Sequence, residues 1–376
     1  MPCMSTDPIH ADAVHHTARL VATVPLPLGS ARADAVQLLP WSGRLLLVQH
    51  GDEELAVAEI GGAGAQFRFP APWPRRFGGA TVSPGGDVAV FSGVHSVQAV
   101  DRTGEVLWEL PHGCWATATC AWTRAPLASY RDDPRHQNPD QGSAAFSVDG
   151  KTVWVHVRQY AEGRRPYEEW LVLDAADGEV LCRAETMTVG AGSVHFPHPD
   201  PACMGLSIAQ GDDDAPVLWG RRDGRALAVA RAEGEILQSI SPSGRHFLCT
   251  DPGQWALYLH DAADGEQLRR VDARAVLPPV PGDDMARWDY EGAYPYEDGA
   301  VVSTEEYAEV PRHWLVDPRS MSVRGRIAYP VPVAGSPRSA GPGMWCTVAG
   351  QDAAVHLWRL ADEAGEVGEA GEEIRS

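Results

Sequence analysis

The chain is almost without lysine. Of its 31 basic residues only Lys151 is not arginine, and 51 acidic residues leave a formal net charge of −20. Nucleic acids and anionic membrane surfaces are held by many Lys and Arg side chains that neutralise phosphate, so neither fits as a partner. A basic or neutral protein, or a small molecule, fits better. The dominance of arginine, with abundant Ala and Gly, reads as the coding bias of a GC-rich bacterium. No run of about 18 apolar residues occurs, which excludes a spanning helix. The start, "MPCMSTDPIHADAVHHTARLV", has neither a basic head nor a continuous apolar stretch, so no signal peptide is expected and the expected compartment is the cytoplasm. The seven cysteines (Cys3, Cys114, Cys120, Cys182, Cys203, Cys249 and Cys346) are odd in number and nowhere spaced C-x-x-C, which reads as reduced thiols. There is no G-x-S-x-G elbow, phosphate loop, H-E-x-x-H or dinucleotide G-x-G-x-x-G.

The chain does have turns: 38 Gly, 30 Pro and 13 Trp, with short apolar runs and no helical period. That composition points to an all-β protein. The hexapeptide DAADGE occurs at Asp174 to Glu179 and again at Asp261 to Glu266, 87 residues on. The first copy lies between "EEWLVL" and "VLCRAE" and the second between "QWALYL" and "QLRRVD"; both read as strand, turn, strand, with Asp bonding backbone amides and Gly supplying a positive φ. Related hairpins lie around Asp101 and Gly104, Asp223 and Gly224, and Asp317. A second kind of turn precedes an apolar strand upstream of each, as in "SPGGDVAVF", "SVDGKTVWVHV" and "SPSGRHFLCT". Two further units, at Trp41 and Ser339, keep only this second turn. Markers from Gly43 to Gly343 recur at intervals of 43 to 64 residues. About 40–45 residues make one four-stranded propeller blade, so seven blades are expected over residues 18–362. The longest interval contains a turn-rich insert at 111–142. The last unit has three strands and the N-terminal "ARLVATVPL" is a strand without a blade, so the second is expected to complete the first and close the ring. Residues 1–17 and the acidic 363–376 are expected to be flexible tails.

On these turns and on "AVHLWRL" the chain resembles bacterial WD40-like and quinoprotein-like β-propellers. No unit carries the Gly-His and Trp-Asp dipeptides of WD40 repeats. "AVDRTGEVLW", Ala99 to Trp108, looks like one tryptophan-docking repeat of the quinoproteins, and one such repeat implies no quinone.

Loops joining second to third strands, and loops joining blades, emerge on one face of such a ring. That face would carry His50, Asp52, Glu53, Arg164, Arg165, Asp212, Asp213, Asp251, Glu305, Glu306 and Tyr307, joined by His112 and Trp115 of the insert and by Tyr290. The acidic loops could hold a cationic partner, or are simply the exposed surface of an acidic protein. No cofactor is expected and no metal ligands are assigned; a divalent cation on the acidic face stays open. His95 and His195 are the candidate acid or base groups, with structural histidines as the bland alternative. Trp73, Trp115, Trp122, Tyr130, Tyr290, Tyr294 and Tyr296 either cap the channel or form a small satellite core. Trp170, Trp219, Trp255, Trp314 and Trp358, at matching third-strand places, are expected between blades. The favoured function is a monomeric, non-catalytic binding scaffold. The alternative is a small-molecule lyase, hydrolase or cyclase at the channel mouth.

Overall fold

The structure, a computed structural model, describes residues 15–29, 36–41, 43–61, 64–116, 120, 126–211, 215–278, 286–304, 311–349 and 353–361. Strand β1 (His15–Pro25) is followed by five four-stranded antiparallel sheets, each paired in chain order. These are β2 (Val36–Trp41), β3 (Arg44–His50), β4 (Glu54–Ile60) and β5 (Gln66–Pro70); then β6 (Gly78–Val82), β7 (Val88–Gly93), β8 (Ser96–Asp101) and β9 (Val106–Pro111). Next come β10 (Ala144–Phe146), β11 (Thr152–Gln159), β12 (Tyr167–Asp174) and β13 (Val180–Glu185). The fourth sheet is β14 (Gly192–Pro197), β15 (Cys203–Ala209), β16 (Val217–Asp223) and β17 (Ala226–Ala232). The fifth is β18 (Ile236–Ile240), β19 (His246–Thr250), β20 (Ala256–Asp261) and β21 (Gln267–Asp272). A one-turn helix, α1 (Ala273–Val276), leads to the last strands. These are β22 (Trp288–Tyr296), β23 (Gly299–Thr304), β24 (Arg312–Asp317), β25 (Ser322–Ala328), β26 (Arg338–Ser339), β27 (Trp345–Ala349) and β28 (Ala354–Leu360). They form one sheet with β1, in the order β22-β23-β24-β25-β1-β28-β27-β26.

Local chemistry sets these hairpins. In the turn between first and second strands, a serine hydroxyl accepts the amide five residues on, at 3.1 Å each from Val88 to Ser83, Thr152 to Ser147 and His246 to Ser241. The glycine within each turn, Gly86, Gly150 or Gly244, takes φ near +70°, a conformation that costs any other residue a steric penalty. The two DAADGE copies fold alike between third and fourth strands. Asp174 Oδ1 accepts from Ala176 N and Asp177 Oδ1 from Glu179 N, each at 2.8 Å. Asp261 and Asp264 do the same for Ala263 and Glu266 at 2.8 and 2.9 Å. The carboxylates are spent on the backbone of the turn itself.

The first copy also receives Trp108, which explains the lone tryptophan-docking segment. Trp108 Nε1 donates to Ala175 O at 3.0 Å. Its ring lies against Gly178, where an added Cβ would meet ring carbons at 2.9–3.1 Å. The motif thus joins the second sheet to the third through packing.

Apolar faces of successive sheets bury one another. One cluster runs from Leu39 through Phe91 to Leu173, and another joins Leu47 and Ala58 of the first sheet to Cys346 of β27 and Leu357 of β28. Trp170, Trp219, Trp314 and Trp358 are buried at third-strand places, as the sequence suggests. Trp255 departs from that set: it precedes β20 and is half-buried, because it lies in the loop rather than in the strand. Trp288, Tyr290, Tyr294 and Tyr296 belong to strand β22 rather than to a capping loop, with Trp288 and Tyr294 buried, Tyr296 half-buried and Tyr290 exposed.

Candidate functional site

Antiparallel pairing sends the second-to-third-strand loops and the links between sheets to the same end of each sheet. Backbone bonds tie the insert to that end: His112 N donates to His95 O at 2.9 Å, Trp115 N to Val94 O at 3.0 Å and Gly113 N to Arg158 O at 2.7 Å. His95, on the two-residue link between β7 and β8, and His112 are each 2% exposed. Trp115 and Tyr130 are equally buried and belong to the largest apolar cluster, together with Trp73. These aromatics therefore anchor the insert to the main apolar cluster and do not form a separate satellite core. Trp122 lies outside the described residues, as do Asp212, Asp213, Glu305, Glu306 and Tyr307.

The candidate acid and base groups are deeply placed. His195 is 6% exposed; Trp170 Nε1 donates to its Nε2 at 2.9 Å, and its Nδ1 lies 2.8 Å from Ser143 Oγ. An accepting Nε2 puts the proton of the neutral ring on Nδ1, and burial foremost, then His156, holds its pKa well below the usual histidine range. Both ring nitrogens are thus committed to protein partners. Burial also lowers His112 to about 4 against the pull of Gly113 O, and lowers His50 to about 4 with help from Arg75. A proton shuttle working near neutrality needs a pKa closer to 7.

Other predicted face residues are surface groups. Asp52 lies 3.7 Å from Arg75, Glu53 and Arg165 are exposed, and Arg164 pairs with Glu185 at 2.7 Å while stacking on Tyr167. Asp251 Oδ1 accepts from Ala256 N at 2.8 Å, which fixes the loop before β20.

Sequence reasoning missed three groupings on this end of the molecule. The first is a buried charge network. Arg158 Nη2 reaches Glu168 Oε1 at 3.2 Å, Asp140 Oδ2 at 3.3 Å and Gly190 O at 2.9 Å, while Nη1 donates to Trp115 O at 3.1 Å. Glu168 also accepts from Thr188 Oγ1 at 2.7 Å and from Gly190 N at 2.8 Å, with His156 Nε2 3.4 Å away. Burial raises its pKa, but His156, Thr188 and Gly190 outweigh this and hold it at about 2. A carboxylate depressed on folding stabilises the native state fully above its unfolded value, near 4.5, and loses that contribution as pH falls through about 2. Acid unfolding followed by circular dichroism should therefore show a Glu168-dependent component within that window, absent in Glu168→Gln. An unchanged acid slope in the variant would refute this.

The second grouping is an aromatic and arginine patch. Two guanidinium groups pack over the Trp255 ring, with Arg274 4.3 Å and Arg287 4.4 Å from its centroid. Ala273 N donates to Trp255 O at 2.8 Å, setting the one-turn helix beside it. Trp255, Asp272, Arg274 and Ala275 line an open groove of about 440 Å³. Tyr290, 42% exposed, donates to Pro252 O at 2.7 Å in the same loop. The third grouping is His95 with Cys114, Cys120 and His136, all buried.

Successive four-stranded antiparallel sheets, with β6 beside β10, β10 beside β14, β18 beside β22 and β22 beside β26, define the class of this chain as a β-propeller. No family model matches the chain, and no curated protein does. Among solved structures it is similar to BBS1N, determined in complex with ARL6DN, at 11% identity and a TM-score of 0.50, covering 93% of this chain and 99% of that one. It is similar to a prolyl endopeptidase at 11% identity and a TM-score of 0.51, covering 88% of this chain and 51% of the enzyme, about half its length. The β-propeller domain of Swd1 from Myceliophteria thermophila aligns at 10% identity and a TM-score of 0.37, over 76% of this chain and 97% of that one. At such identities the likeness bears on the fold alone.

Proposed function

We propose that the chain is a closed seven-bladed propeller that acts as a non-catalytic binding scaffold, taking a protein partner on its loop-bearing end. Five separate sheets and the two halves of the eight-stranded one, β22 to β25 and β26-β27-β28 with β1, support the count of seven. Closure is supported by Arg338 of β26, whose Nη1 donates to Val36 O of β2 at 3.2 Å, and by the apolar cluster shared between first and last sheets.

The observation that carries the binding reading is the Trp255 patch. Aromatic and arginine side chains are the commonest energetic anchors of protein interfaces, where they fill well-packed, desolvated pockets. Two guanidiniums hold the indole in place before any partner arrives, which lowers the ordering cost of binding. The net charge of −20 favours a basic or neutral partner at long range. An acid or base role for His95 or His195 gains no support from rings so deeply buried.

The test compares complexes recovered from native cell extract by the wild-type chain and by Trp255→Ala with Arg287→Ala. A stoichiometric partner should be retained by the wild type, with affinity weakened by about 30-fold or more in the variant, the worth of one interface hot spot. Asp177→Ala, on the opposite end, should bind normally. Recovery of no stoichiometric partner, or equal binding by the Trp255 variant, would sink the proposal.

A further inference from the structure

The insert brings two thiols and an imidazole to the imidazole of His95. One ligand atom each from His95, Cys114, Cys120 and His136 can be chosen so that all four lie within 4.8 Å of one another, and all four residues are buried. Zinc–sulfur bonds near 2.3 Å and zinc–nitrogen bonds near 2.0 Å in a tetrahedron place unlike donors about 3.6 Å apart. The Sγ of Cys114 and Nε2 of His136 are 3.4 Å apart. Two sulfurs and two nitrogens are the donor set of closed structural zinc sites, and two thiolates neutralise the dication without leaving charge in the core.

The surroundings match what such a site requires of its supports. Metal-bound imidazoles commonly direct their second nitrogen to a carboxylate, and His136 Nδ1 lies 3.4 Å from Asp133 Oδ2. That carboxylate is itself fixed by Arg135, through its backbone N at 3.0 Å and Nη2 at 2.7 Å. Asp133 thereby caps the short 3-10 turn Pro134–His136 and orients the imidazole. The backbone N of Ala116 donates to Cys114 Sγ at 3.3 Å, a bond that favours the thiolate over the thiol. Tyr160 donates to Cys114 O at 3.0 Å and so holds the start of the insert to the third sheet. The buried trio Glu235, Cys249 and His260 offers no comparable set. There both ring nitrogens of His260 are engaged, with Glu235 Oε2 at 2.6 Å and Gly265 O at 3.0 Å.

We propose that His95, Cys114, Cys120 and His136 form a structural site for one zinc ion, which pins the insert at 111–142 to the β7–β8 link. Uptake releases the two thiol protons to solvent and leaves both imidazoles neutral. With four protein ligands and no open position, the site holds shape and does no chemistry. The inference is independent of the Trp255 binding reading.

The test uses the full chain and the metals alone. Purified in the presence of Zn²⁺ and dialysed, the wild type should retain about one zinc per chain by elemental analysis. After removal of zinc under reducing conditions, Co²⁺ should restore the intense visible bands of a tetrahedral site and a near-ultraviolet thiolate-to-metal band. Cys114→Ser with Cys120→Ser should lose both metal and spectrum, whereas Cys182→Ser, outside the cluster, should lose neither. His136→Cys keeps four donors, so it should keep the metal and strengthen the charge-transfer band by about half as thiolates rise from two to three. Because the cobalt spectrum is read on the wild type, it stands even where the double variant misfolds. Limited proteolysis of the insert should quicken several-fold on removal of zinc. Failure of reduced wild-type protein to hold Zn²⁺ or to give the tetrahedral Co²⁺ spectrum would overturn the proposal. So would full zinc retention by the folded double serine variant.

Discussion

Arg158→Ala should lower the stability of the protein by about 3–5 kcal/mol, read as a fall in the urea midpoint of the third sheet and its insert. The size follows from what the substitution leaves behind. Glu168 is 2% exposed and keeps its charge among Thr188, Gly190 and His156. Without the guanidinium its Oε1 loses a charged donor, and Asp140 Oδ2, Gly190 O and Trp115 O lose theirs. The stacking of Arg158 over the Trp115 ring, at 4.5 Å, disappears as well. Replacing both ends, Arg158→Met with Glu168→Leu, should cost less than Arg158→Ala alone, because the buried pair is removed together and the one carboxylate left without its partner, Asp140, is 42% exposed to water. Arg164→Ala is the contrast. Its ion pair with Glu185 at 2.7 Å is as short as any in the network, yet the Arg164 side chain is 48% exposed and screened by water, so its loss should leave the urea midpoint almost unchanged. Equal losses for Arg158→Ala and Arg164→Ala would show that burial does not control the worth of these charges.

What could be read from the sequence was chiefly what is local. The serine at the head of "SPGGD", "SVDGK" and "SPSGR" bonds only five residues ahead, and the aspartates of DAADGE only two, so residue order carries nearly the whole geometry. Strand identity followed from the same turns. The loop-bearing end was legible as a set of loops, because alternation of strand direction fixes which loops share an end. The depth of each side chain in those loops was not. His95 and Trp115 look like loop residues in the chain and are buried, because the insert folds back over them. The Cys114, Cys120, His136 and His95 grouping spans 42 positions and needs the tertiary path of that insert, so no spacing rule finds it. Arg158 did leave a signal. An arginine within "TVWVHVRQ" and a glutamate at the start of "YEEWLVLD" face one another in the hairpin register, Arg158 opposite Glu168. Pairing the two strands on paper would have matched the charges.

Joining β1 to β28 by a disulfide should stabilise the protein by about 2–5 kcal/mol, the counterpart in gain of the loss at Arg158. Residues Ala18 to Pro25 pair antiparallel with Leu360 to Ala354, while His15 to Thr17 run parallel to Arg326 to Ala328 of β25. One strand from the start of the chain therefore completes the sheet built from its end. Arg19 and Arg359 are direct partners in that register, and both are exposed. Two like charges facing across a ladder oppose the pairing, so Arg19→Cys with Arg359→Cys removes a repulsion and adds a bond that closes a loop of 340 residues. In the proposed ring every sheet is held between two neighbours, and among the described residues β1 is the only strand through which the first and last thirds of the chain share a sheet. Loss of β1 would expose the edges of both β25 and β28, and unpaired edges recruit other chains. Deletion of 15–25 should accordingly give aggregated protein, visible by light scattering, while the cysteine pair gives a monomer whose thermal midpoint falls when reductant is added. If mild oxidation forms no disulfide between the two positions in otherwise native protein, β1 does not lie beside β28 and the proposed closure is wrong.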